Sequence, residues 1–213
     1  MTESNNIIRE IIHRRLSAER FESGRALPEK VLRELVEDAI QAPSSFNIQH
    51  WRFVAVRDPA DKKRLRAAAY DQAVVEEAAV TLIVLGDVRA HENLEEILER
   101  SVRVGAMSRQ AAKRWVESSD DIYADERMAR DEALRSATLA SMVLMLSAAA
   151  RGLSSAPLIG FDADAVRRDF EIPEHCLPVM LLAIGYPAPG KEPRRKVRLT
   201  VDRVLAFDRG SVF

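Results

Sequence analysis

The chain has 213 residues, and its proportions of hydrophobic residues, 47%, and charged residues, 31%, are typical of a folded globular domain. The formal net charge of −1 gives no electrostatic reason to expect a nucleic-acid partner or binding to an anionic membrane surface. The single cysteine, Cys176, excludes an intramolecular disulfide and a metal site built from several thiolates. We predict one domain over residues 1–213, because no repeat or shift in composition marks a boundary.

The two segments that could suggest a membrane or export are better explained otherwise. The N-terminal segment MTESNNIIREIIHRR contains acidic residues and lacks the apolar centre of a signal peptide, so we expect a cytoplasmic protein. The longest apolar run, Ala137 to Ala150, is shorter than the roughly 20 residues that span a bilayer. We therefore predict a helix buried in the core or in a subunit interface.

Apolar residues at helical or alternating spacing predict the elements in chain order. The predicted helices cover Asn5–His13, a segment from Pro28 that ends before Pro43, a segment from Pro59 capped by Asp58, Asp125–Arg151 ended by Gly152, and Ala163–Phe170 capped by Asp162. Weakly patterned helices between residues 89 and 117 are expected outside the main sheet. The predicted strands are Arg52–Arg57, Val80–Leu85 and Val179–Ile184, with a short strand in LSSAPLIGFD, and the pattern over Val201–Phe207 allows a last strand.

Strands interleaved with helices predict an α+β fold with a mixed β-sheet covered by helices on both faces. The 8 glycines form neither a G-x-G-x-x-G nor a Walker sequence, which argues against a Rossmann or P-loop nucleotide site. No metal site is predicted, because the four histidines show no ligand spacing with carboxylates or thiols.

Four polar or basic segments stand out around the two most apolar strands. They are RRLSAERF near the N-terminus, PSSFNIQHW before the first strand, SSAPLIGFD after the long helix, and RRKVRLT near the C-terminus. Their order and spacing resemble the FMN-dependent nitroreductase family over almost the whole chain. The resemblance implies a nitroreductase-like mixed sheet flanked by helices, in an intertwined homodimer with FMN at the subunit interface.

The resemblance also implies an activity and its reactants. NADH or NADPH reduces the flavin, and a nitroaromatic, a quinone or a similar small aromatic acceptor then takes its place on the same face, which gives ping-pong kinetics. No catalytic side chain is implied, because flavin N5 carries the hydride and the protein supplies positioning.

The phosphate of FMN is the ligand that the resemblance assigns to the two basic segments. The residues concerned are Arg15, Leu16 and Ser17 in the first segment and Lys196 and Arg198 in the last. A guanidinium that binds two oxygens and a hydroxyl donor suit a phosphate dianion. The alternative is that each segment is only a solvated basic run.

The isoalloxazine ring is assigned to three further groups of residues. The resemblance gives the loop that reaches the partner's flavin as Pro43, Ser44, Ser45 and Asn47, the amide that hydrogen-bonds the pyrimidine edge as Gln72, and the segment beside the ring as Pro157, Leu158, Ile159 and Gly160. A backbone N–H near Gly160 would meet flavin N5. Asp71 is the alternative to Gln72 at the pyrimidine edge, and the pair could also be merely exposed.

Two residues depart from the family pattern. Glu19 stands where the family commonly has a basic residue near flavin N1, and Arg20, or Arg14 if the register shifts by one, is the candidate replacement. His50 stands where proline usually precedes the tryptophan, either as a proton donor to a substrate or as a neutral replacement. Two alternative functions stay open: other flavin chemistry, such as substrate dehydrogenation or flavin breakdown, and a flavin-binding dimer without turnover.

Overall fold

The computed structural model describes residues 3–190 and 193–210, and within them it shows an α+β fold with four strands and eight α-helices. The helices are α1 (Glu3–Arg14), α2 (Glu29–Ala39), α3 (Pro59–Ala68), α4 (Ala73–Glu77), α5 (Leu94–Arg103), α6 (Arg109–Tyr123), α7 (Glu126–Ala150) and α8 (Ala163–Asp169). The strands are β1 (Trp51–Val56), β2 (Val80–Asp87), β3 (Ser154–Leu158) and β4 (Cys176–Gly185). Short 3₁₀ turns occupy Ser45–Asn47, Ala90–Asn93 and Val201–Arg203.

The strands form one sheet in the order β1-β2-β4-β3, and every neighbouring pair is antiparallel. The α+β class with helices on both faces is confirmed. The sheet is antiparallel rather than mixed, and the one parallel pairing seen in the described chain is the isolated bridge between Ser17 and Ser155. The reason lies in the connections: two helices between β1 and β2 return the chain to the end where β1 finished, so that Val56 pairs with Thr81.

The strand predicted over Val201–Phe207 is wrong. This segment makes a 3₁₀ turn, in which the amides of Val204 and Leu205 both donate to the carbonyl of Val201. A strand needs a neighbour that accepts its backbone hydrogen bonds, and no strand of the described chain lies beside this segment. Alternating apolar residues alone therefore did not specify a strand here.

Strand β4 begins at Cys176, three residues earlier than the apolar run predicted. The sequence pattern placed the start after Pro178, because proline cannot donate a hydrogen bond to a neighbouring strand and is usually found at an edge or a bulge. Here the pairing shifts between Val84 and Leu85, which oppose Met180 and Pro178, so the bulge leaves Val179 as the extra residue.

The sheet separates two apolar cores. On one face, Ile83 and Leu181 pack with Leu65 of α3 and Val166 of α8. On the other face, the alternate strand residues pack against α2 and α7, through Leu35 and Leu144 among others. All eight residues of β2 are buried, as the continuous apolar run predicts for a strand covered on both faces.

The long helix α7 crosses the second face as a core helix. By length and composition alone it qualifies as a membrane span, with 25 residues and a mean hydropathy of 1.5, but 56% of its apolar window is buried inside the protein. Gly86 of β2 permits the close contact, because a Cβ there would lie 2.8 Å from the carbonyl oxygen of Ala133. The helix ends before Gly152, whose φ of +74° is favourable for glycine.

Helices α5 and α6 form an excursion beyond the β1 side of the sheet, with a small core of their own. Leu94, Leu98 and Tyr123 pack there with Ile48, which follows the 3₁₀ turn at Ser45–Asn47. The excursion thus supports the polar loop that precedes β1.

Candidate functional site

The first predicted segment lies against the outer edge of the sheet. The Arg15 amide closes the last turn of α1 by donating to the Ile11 carbonyl, at 2.9 Å. The chain then runs beside β3, where Ser17 bridges Ser155 and the Ala18 amide donates to the Ser155 carbonyl, also at 2.9 Å. These contacts leave the Ser17 side chain exposed and the Arg15 side chain half-buried at the sheet edge.

Three guanidinium groups gather at this edge, and we call Arg15, Arg195 and Arg198 the arginine cluster. Burial, and then the positive charges of Arg195 and Arg198, lower the pKa of Arg15. The Arg195 side chain also donates to the Arg15 carbonyl, at 3.4 Å. No carboxylate of the described residues forms an ion pair with any of the three. Three cations that repel one another without a counter-charge form a site suited to a dianion such as a phosphate.

Lys196, which the resemblance assigns to the phosphate, forms an ion pair with the Glu19 carboxylate, with its Nζ 3.6 Å from an oxygen. Arg195 joins Arg15 and Arg198 in the arginine cluster, although no pattern in the sequence singles it out. Four basic residues in RRKVR have no periodic signal that distinguishes them, because the segment belongs to no helix or strand. Only the tertiary contact with Arg15 separates Arg195 from its neighbours.

The other end of the same edge holds the second pair of predicted residues. The Gln72 amide nitrogen donates to the Gly160 carbonyl at 2.7 Å and to the Ala69 carbonyl at 3.1 Å, which joins two residues 88 positions apart. The Gly160 N–H donates to no acceptor among the described residues. Asp71, the alternative to Gln72, points to solvent with 83% of its side chain exposed. Because Gln72 fixes the Gly160 carbonyl, the free N–H of the same residue is held in place as a donor for a ligand atom.

Segment 157–160 connects these two ends. Pro157, Ile159 and Gly160 are exposed, whereas the Leu158 side chain is buried in the core, so Leu158 can offer only its backbone to a ligand. From Ser155 to Gly160 the edge runs roughly 16 Å at the rise of an extended chain. At the Ser155 end, a cavity of about 440 Å³ is lined by residues of the first segment and of β3. Cations at one end and a free N–H at the other suit an elongated ligand with an anionic tail, and FMN fits this donor set.

The predicted loop Pro43–Asn47 has an unusual backbone. Phe46, Asn47 and Gln49 all have positive φ, at 51°, 59° and 61°. The Ser44 hydroxyl accepts a hydrogen bond from the Gln49 amide at 2.9 Å, and the Phe46 ring meets Trp115 of α6 edge-on, with centroids 5.7 Å apart. Left-handed conformations in non-glycine residues cost free energy and cluster at functional sites.

The structure does not bring this loop to the other predicted residues within one chain. The loop precedes β1, whose first residue Trp51 pairs with Gly86 at one end of the sheet. Ser155 pairs with Ile184, which pairs with Val80 at the opposite end. Strands β1 and β3 are also the two outer strands, roughly 14 Å apart. The loop and the arginine cluster therefore lie at opposite corners of the sheet within one chain.

His50 is fully buried, with its Nδ1 3.3 Å from the Ser136 hydroxyl. Burial lowers its pKa to about 4, so the ring is neutral at neutral pH. Its Nε2 has no hydrogen-bond partner among the described residues. A side chain without exposure and with this pKa is not placed to give a proton to a substrate, which leaves the neutral replacement as the interpretation that fits.

The cations that the sequence proposed as substitutes at Glu19 have other partners. The Arg20 guanidinium forms an ion pair with Glu77 at 2.7 Å, and Arg14 donates to the Ala149 carbonyl near the end of α7 at 2.8 Å. Lys196 is therefore the cation beside Glu19, and the position is an ion pair rather than an isolated charge.

The structure also reveals a group of metal-ligand atoms that the sequence analysis missed. Asp87, His175 and Cys176 bring a carboxylate oxygen, a ring nitrogen and a thiol sulfur within 4.8 Å of one another. The spacing of the histidines along the sequence does not indicate this juxtaposition, and the prediction of no metal site stays a prediction. Asp87 lies 88 residues away in sequence, and only the pairing of β2 with β4 places it opposite Cys176.

Comparisons with known proteins give one consistent family. The family model described as "Nitroreductase family" matches residues 12–186. A provisionally named NAD(P)H nitroreductase, MhqN of Bacillus subtilis, is 37% identical over 92% of this chain and 97% of its own length. A protein of Thermus thermophilus named NADH dehydrogenase is 38% identical over 85% of this chain and 86% of its own length.

Solved structures agree. The crystal structure of a provisionally named nitroreductase of Bacillus subtilis, ydfN, has a TM-score of 0.90 at 34% identity and covers 95% of this chain and 99% of its own. A provisionally named nitroreductase of Exiguobacterium sibiricum, crystallised in complex with FMN, has a TM-score of 0.86 at 29% identity, with 94% and 96% of the two chains covered.

Proposed function

This chain belongs to the nitroreductase family of flavin-dependent NAD(P)H oxidoreductases, and we propose that it acts as a cytoplasmic homodimer that binds FMN and uses NADH or NADPH to reduce nitroaromatics, quinones or similar electron-poor small molecules. The relatives named as an NAD(P)H nitroreductase and an NADH dehydrogenase, and the similar structure crystallised with FMN, support this assignment.

The observation that carries the proposal is the donor set along the β3 edge. The arginine cluster and the Ser17 hydroxyl would hold the FMN phosphate, because guanidinium groups that have no carboxylate partner among the described residues match a dianion. At the far end, the Gly160 N–H would point at the flavin ring, and Gln72 holds that backbone in place through the Gly160 carbonyl. The two ends thus fix the orientation of one ligand.

Bound FMN would accept hydride from the nicotinamide and pass electrons to the acceptor. The role of the chain is to bind and orient. Exposed Pro157 and Ile159 offer a surface beside the ring, and a fixed N–H donor favours the electron-rich, reduced form of a nearby ring nitrogen. No side chain at this edge is required to move a proton.

The partner subunit completes the proposed site. Loop Pro43–Asn47 lies at the opposite edge of the sheet from the arginine cluster, so the loop of one copy would reach the flavin of the other. Apolar side chains exposed on this chain offer material for the interface: Ile7 and Ile8 of α1, Leu139 and Met142 of α7, and Val197, Leu199 and Phe207 of the C-terminal segment. Exposed apolar surface of this extent is typical of an association site.

The test is flavin binding followed by reduction. Protein incubated with FMN and freed of excess should retain about one flavin per chain, and NADH or NADPH should bleach its yellow absorption anaerobically. A quinone or a nitroaromatic should then restore the oxidised spectrum. Protein that retains no flavin, or flavin that neither nicotinamide reduces, would contradict the proposal.

One observation favours a second candidate function. The family's basic residue near flavin N1 is replaced by Glu19, and Arg14 and Arg20 are both committed to other partners. Without that charge the reduced anion is less stabilised, so reduction of the flavin by NAD(P)H is less favourable, and other flavin chemistry, such as flavin breakdown, is the second candidate. Bound flavin with no NAD(P)H oxidation in the presence of any quinone or nitro compound would support this candidate.

A further inference from the structure

Asp87, His175 and Cys176, here called the Asp-His-Cys cluster, lie together where β2 ends and β4 begins. Asp87 is the last residue of β2 and pairs directly with Cys176, the first residue of β4. Directly opposite residues of two paired strands project to the same side of a sheet. His175 is held beside them because its carbonyl accepts a hydrogen bond from the Val88 amide at 2.9 Å.

The cluster is largely preformed and has one open side. Asp87 and Cys176 are each 5% exposed, whereas the His175 side chain is 37% exposed and leads to solvent. The carboxylate is oriented from behind: Arg52 binds Oδ2 at 2.9 Å, and the Arg89 amide donates to Oδ1 at 3.0 Å. Oδ1 therefore faces the His175 Nε2, 4.0 Å away. Hydrogen bonds of this kind fix carboxylate ligands in known metal sites.

The donor set selects a class of cation. A thiolate, an imidazole and a carboxylate together suit Zn²⁺ and similar borderline metals, whereas Mg²⁺ and Ca²⁺ prefer oxygen alone. With bonds of about 2.0 to 2.3 Å, tetrahedral ligands lie roughly 3.5 Å apart. The donor atoms, now within 4.8 Å, would have to close by about 1 Å, and the exposed His175 ring can supply that movement. The Arg52 charge opposes a cation and limits the affinity.

We propose that the Asp-His-Cys cluster binds one divalent cation of the Zn²⁺ class, with Asp87, His175 and Cys176 as ligands and a solvent molecule in the fourth position. Binding releases the Cys176 thiol proton to solvent, so the thiolate and the carboxylate face the dication, and the paired Arg52 leaves the site with one positive charge in excess. The bound ion joins the end of β2 to the start of β4 and stabilises the folded chain. The site uses none of the residues proposed to hold FMN.

Equilibrium dialysis of untagged, EDTA-treated holoenzyme against Zn²⁺ tests the proposal. The protein should retain about one zinc per chain, and zinc should raise its melting temperature. Cys176→Ser and His175→Asn should each weaken zinc binding at least about tenfold, the loss that even outer-sphere partners of a metal cause. His13→Asn, at an exposed position of α1, is the matched control and should bind zinc like the parent.

Co²⁺ gives a second readout that does not depend on a variant. A tetrahedral Co²⁺ site with a thiolate absorbs red light, beyond the absorption of the flavin, so the parent holoenzyme should acquire that band and lose it on addition of Zn²⁺. Failure to retain zinc, zinc retained equally by Cys176→Ser, or absence of the Co²⁺ band would each overturn the proposal. Flavin content and NAD(P)H turnover, measured on the same samples, report separately on the FMN site.

Discussion

At the scale of single residues, the arginine cluster is the feature that most directly predicts an effect on ligand binding. Arg15→Gln should raise the dissociation constant of FMN roughly 10- to 100-fold, because a charge-assisted hydrogen bond to a phosphate is worth about 1.5–3 kcal/mol. Quenching of flavin fluorescence on binding measures the constant. Arg9→Gln, at an exposed position of α1, is the matched control. Equal affinities for the parent and Arg15→Gln would remove the phosphate assignment.

Glu19 makes an opposite prediction. Its carboxylate forms an ion pair with Lys196, next to Arg195 in sequence, and so places a negative charge near the arginine cluster. Glu19→Gln should therefore tighten FMN binding about 2- to 5-fold, an effect in the range of exposed ion pairs, and the gain should shrink as salt increases. Glu22→Gln, which removes an exposed carboxylate paired with Arg25, is the control. Unchanged or weaker binding in Glu19→Gln would show that the Glu19 carboxylate does not oppose the bound phosphate.

His50 predicts a dependence of stability on pH. The unfolded chain binds a proton with an ordinary pKa of 6.5, whereas burial lowers the pKa in the folded chain to about 4. The unfolded state thus binds more protons between these values, so this contribution is complete above pH 6.5 and is lost as the pH falls toward 4, at a cost of up to about 3 kcal/mol. Urea unfolding at pH 7 and at pH 4.5 measures it.

The control for this effect is His50→Asn, which retains a polar group near the Ser136 hydroxyl but has no proton to bind in this range. The fall in unfolding free energy from pH 7 to pH 4.5 should be smaller in the variant than in the parent. If the two proteins lose the same free energy, His50 does not titrate as its burial indicates.

At the scale of elements, the strained loop before β1 is the clearest object for a test. Asn47 has a φ of 59°, and asparagine tolerates that region better than alanine does. Asn47→Ala should weaken FMN binding and lower turnover together, by removing the amide and by adding roughly 1 kcal/mol of backbone strain. Asn47→Gly removes the side-chain amide but adopts the positive φ without strain, so it separates the loss of the amide from the backbone strain.

If the amide itself contacts the partner's flavin, Asn47→Gly should weaken FMN binding nearly as much as Asn47→Ala. A defect in the alanine variant alone would assign the effect to the loop backbone. Normal FMN binding and turnover in both variants would remove the loop from the site.

The element scale also shows which parts of the fold could be predicted from the sequence. The predicted bounds of β1 lie one residue beyond the observed ones, and α7 was predicted almost to its ends, because their apolar patterns and the stop at Gly152 are local signals. The bulge at Pro178 and the positive φ of Phe46 were not predictable in this way. The first depends on how β2 pairs with β4, and the second occurs in a loop whose Phe46 ring contacts Trp115, a residue distant in sequence.

The same distinction holds for the candidate site. The residues of segments such as Arg15–Ser17 and Pro157–Gly160 were assigned through the family resemblance, whose motifs are short stretches of the chain, and their roles stay predictions. Arg195 and the Asp-His-Cys cluster were missed, because their significance comes from contacts between distant parts of the sequence. Periodicity and spacing carry no information about such contacts.

At the scale of the whole molecule, the sheet separates the two halves of the proposed FMN site. The arginine cluster and Gly160 lie along β3, and the loop with Asn47 leads into β1, with two strands between them. The helices on both faces make this platform stiff, so neither half can fold around the sheet to meet the other. The fold therefore favours a site shared between subunits.

If the proposed site is shared between subunits, the position of its two halves on opposite edges has a genetic consequence: two defective copies can complement each other. Arg15→Gln weakens the phosphate-binding half of the site, and Asn47→Ala weakens the loop half. Each homodimer is therefore impaired at both of its sites. A mixed dimer carries one site with both lesions and one site with none. Co-expression at equal amounts, with random pairing of chains, should leave about a quarter of all sites intact. Turnover of the mixture above that of either homodimer measures this complementation, and turnover no higher than their average would place both halves in one chain.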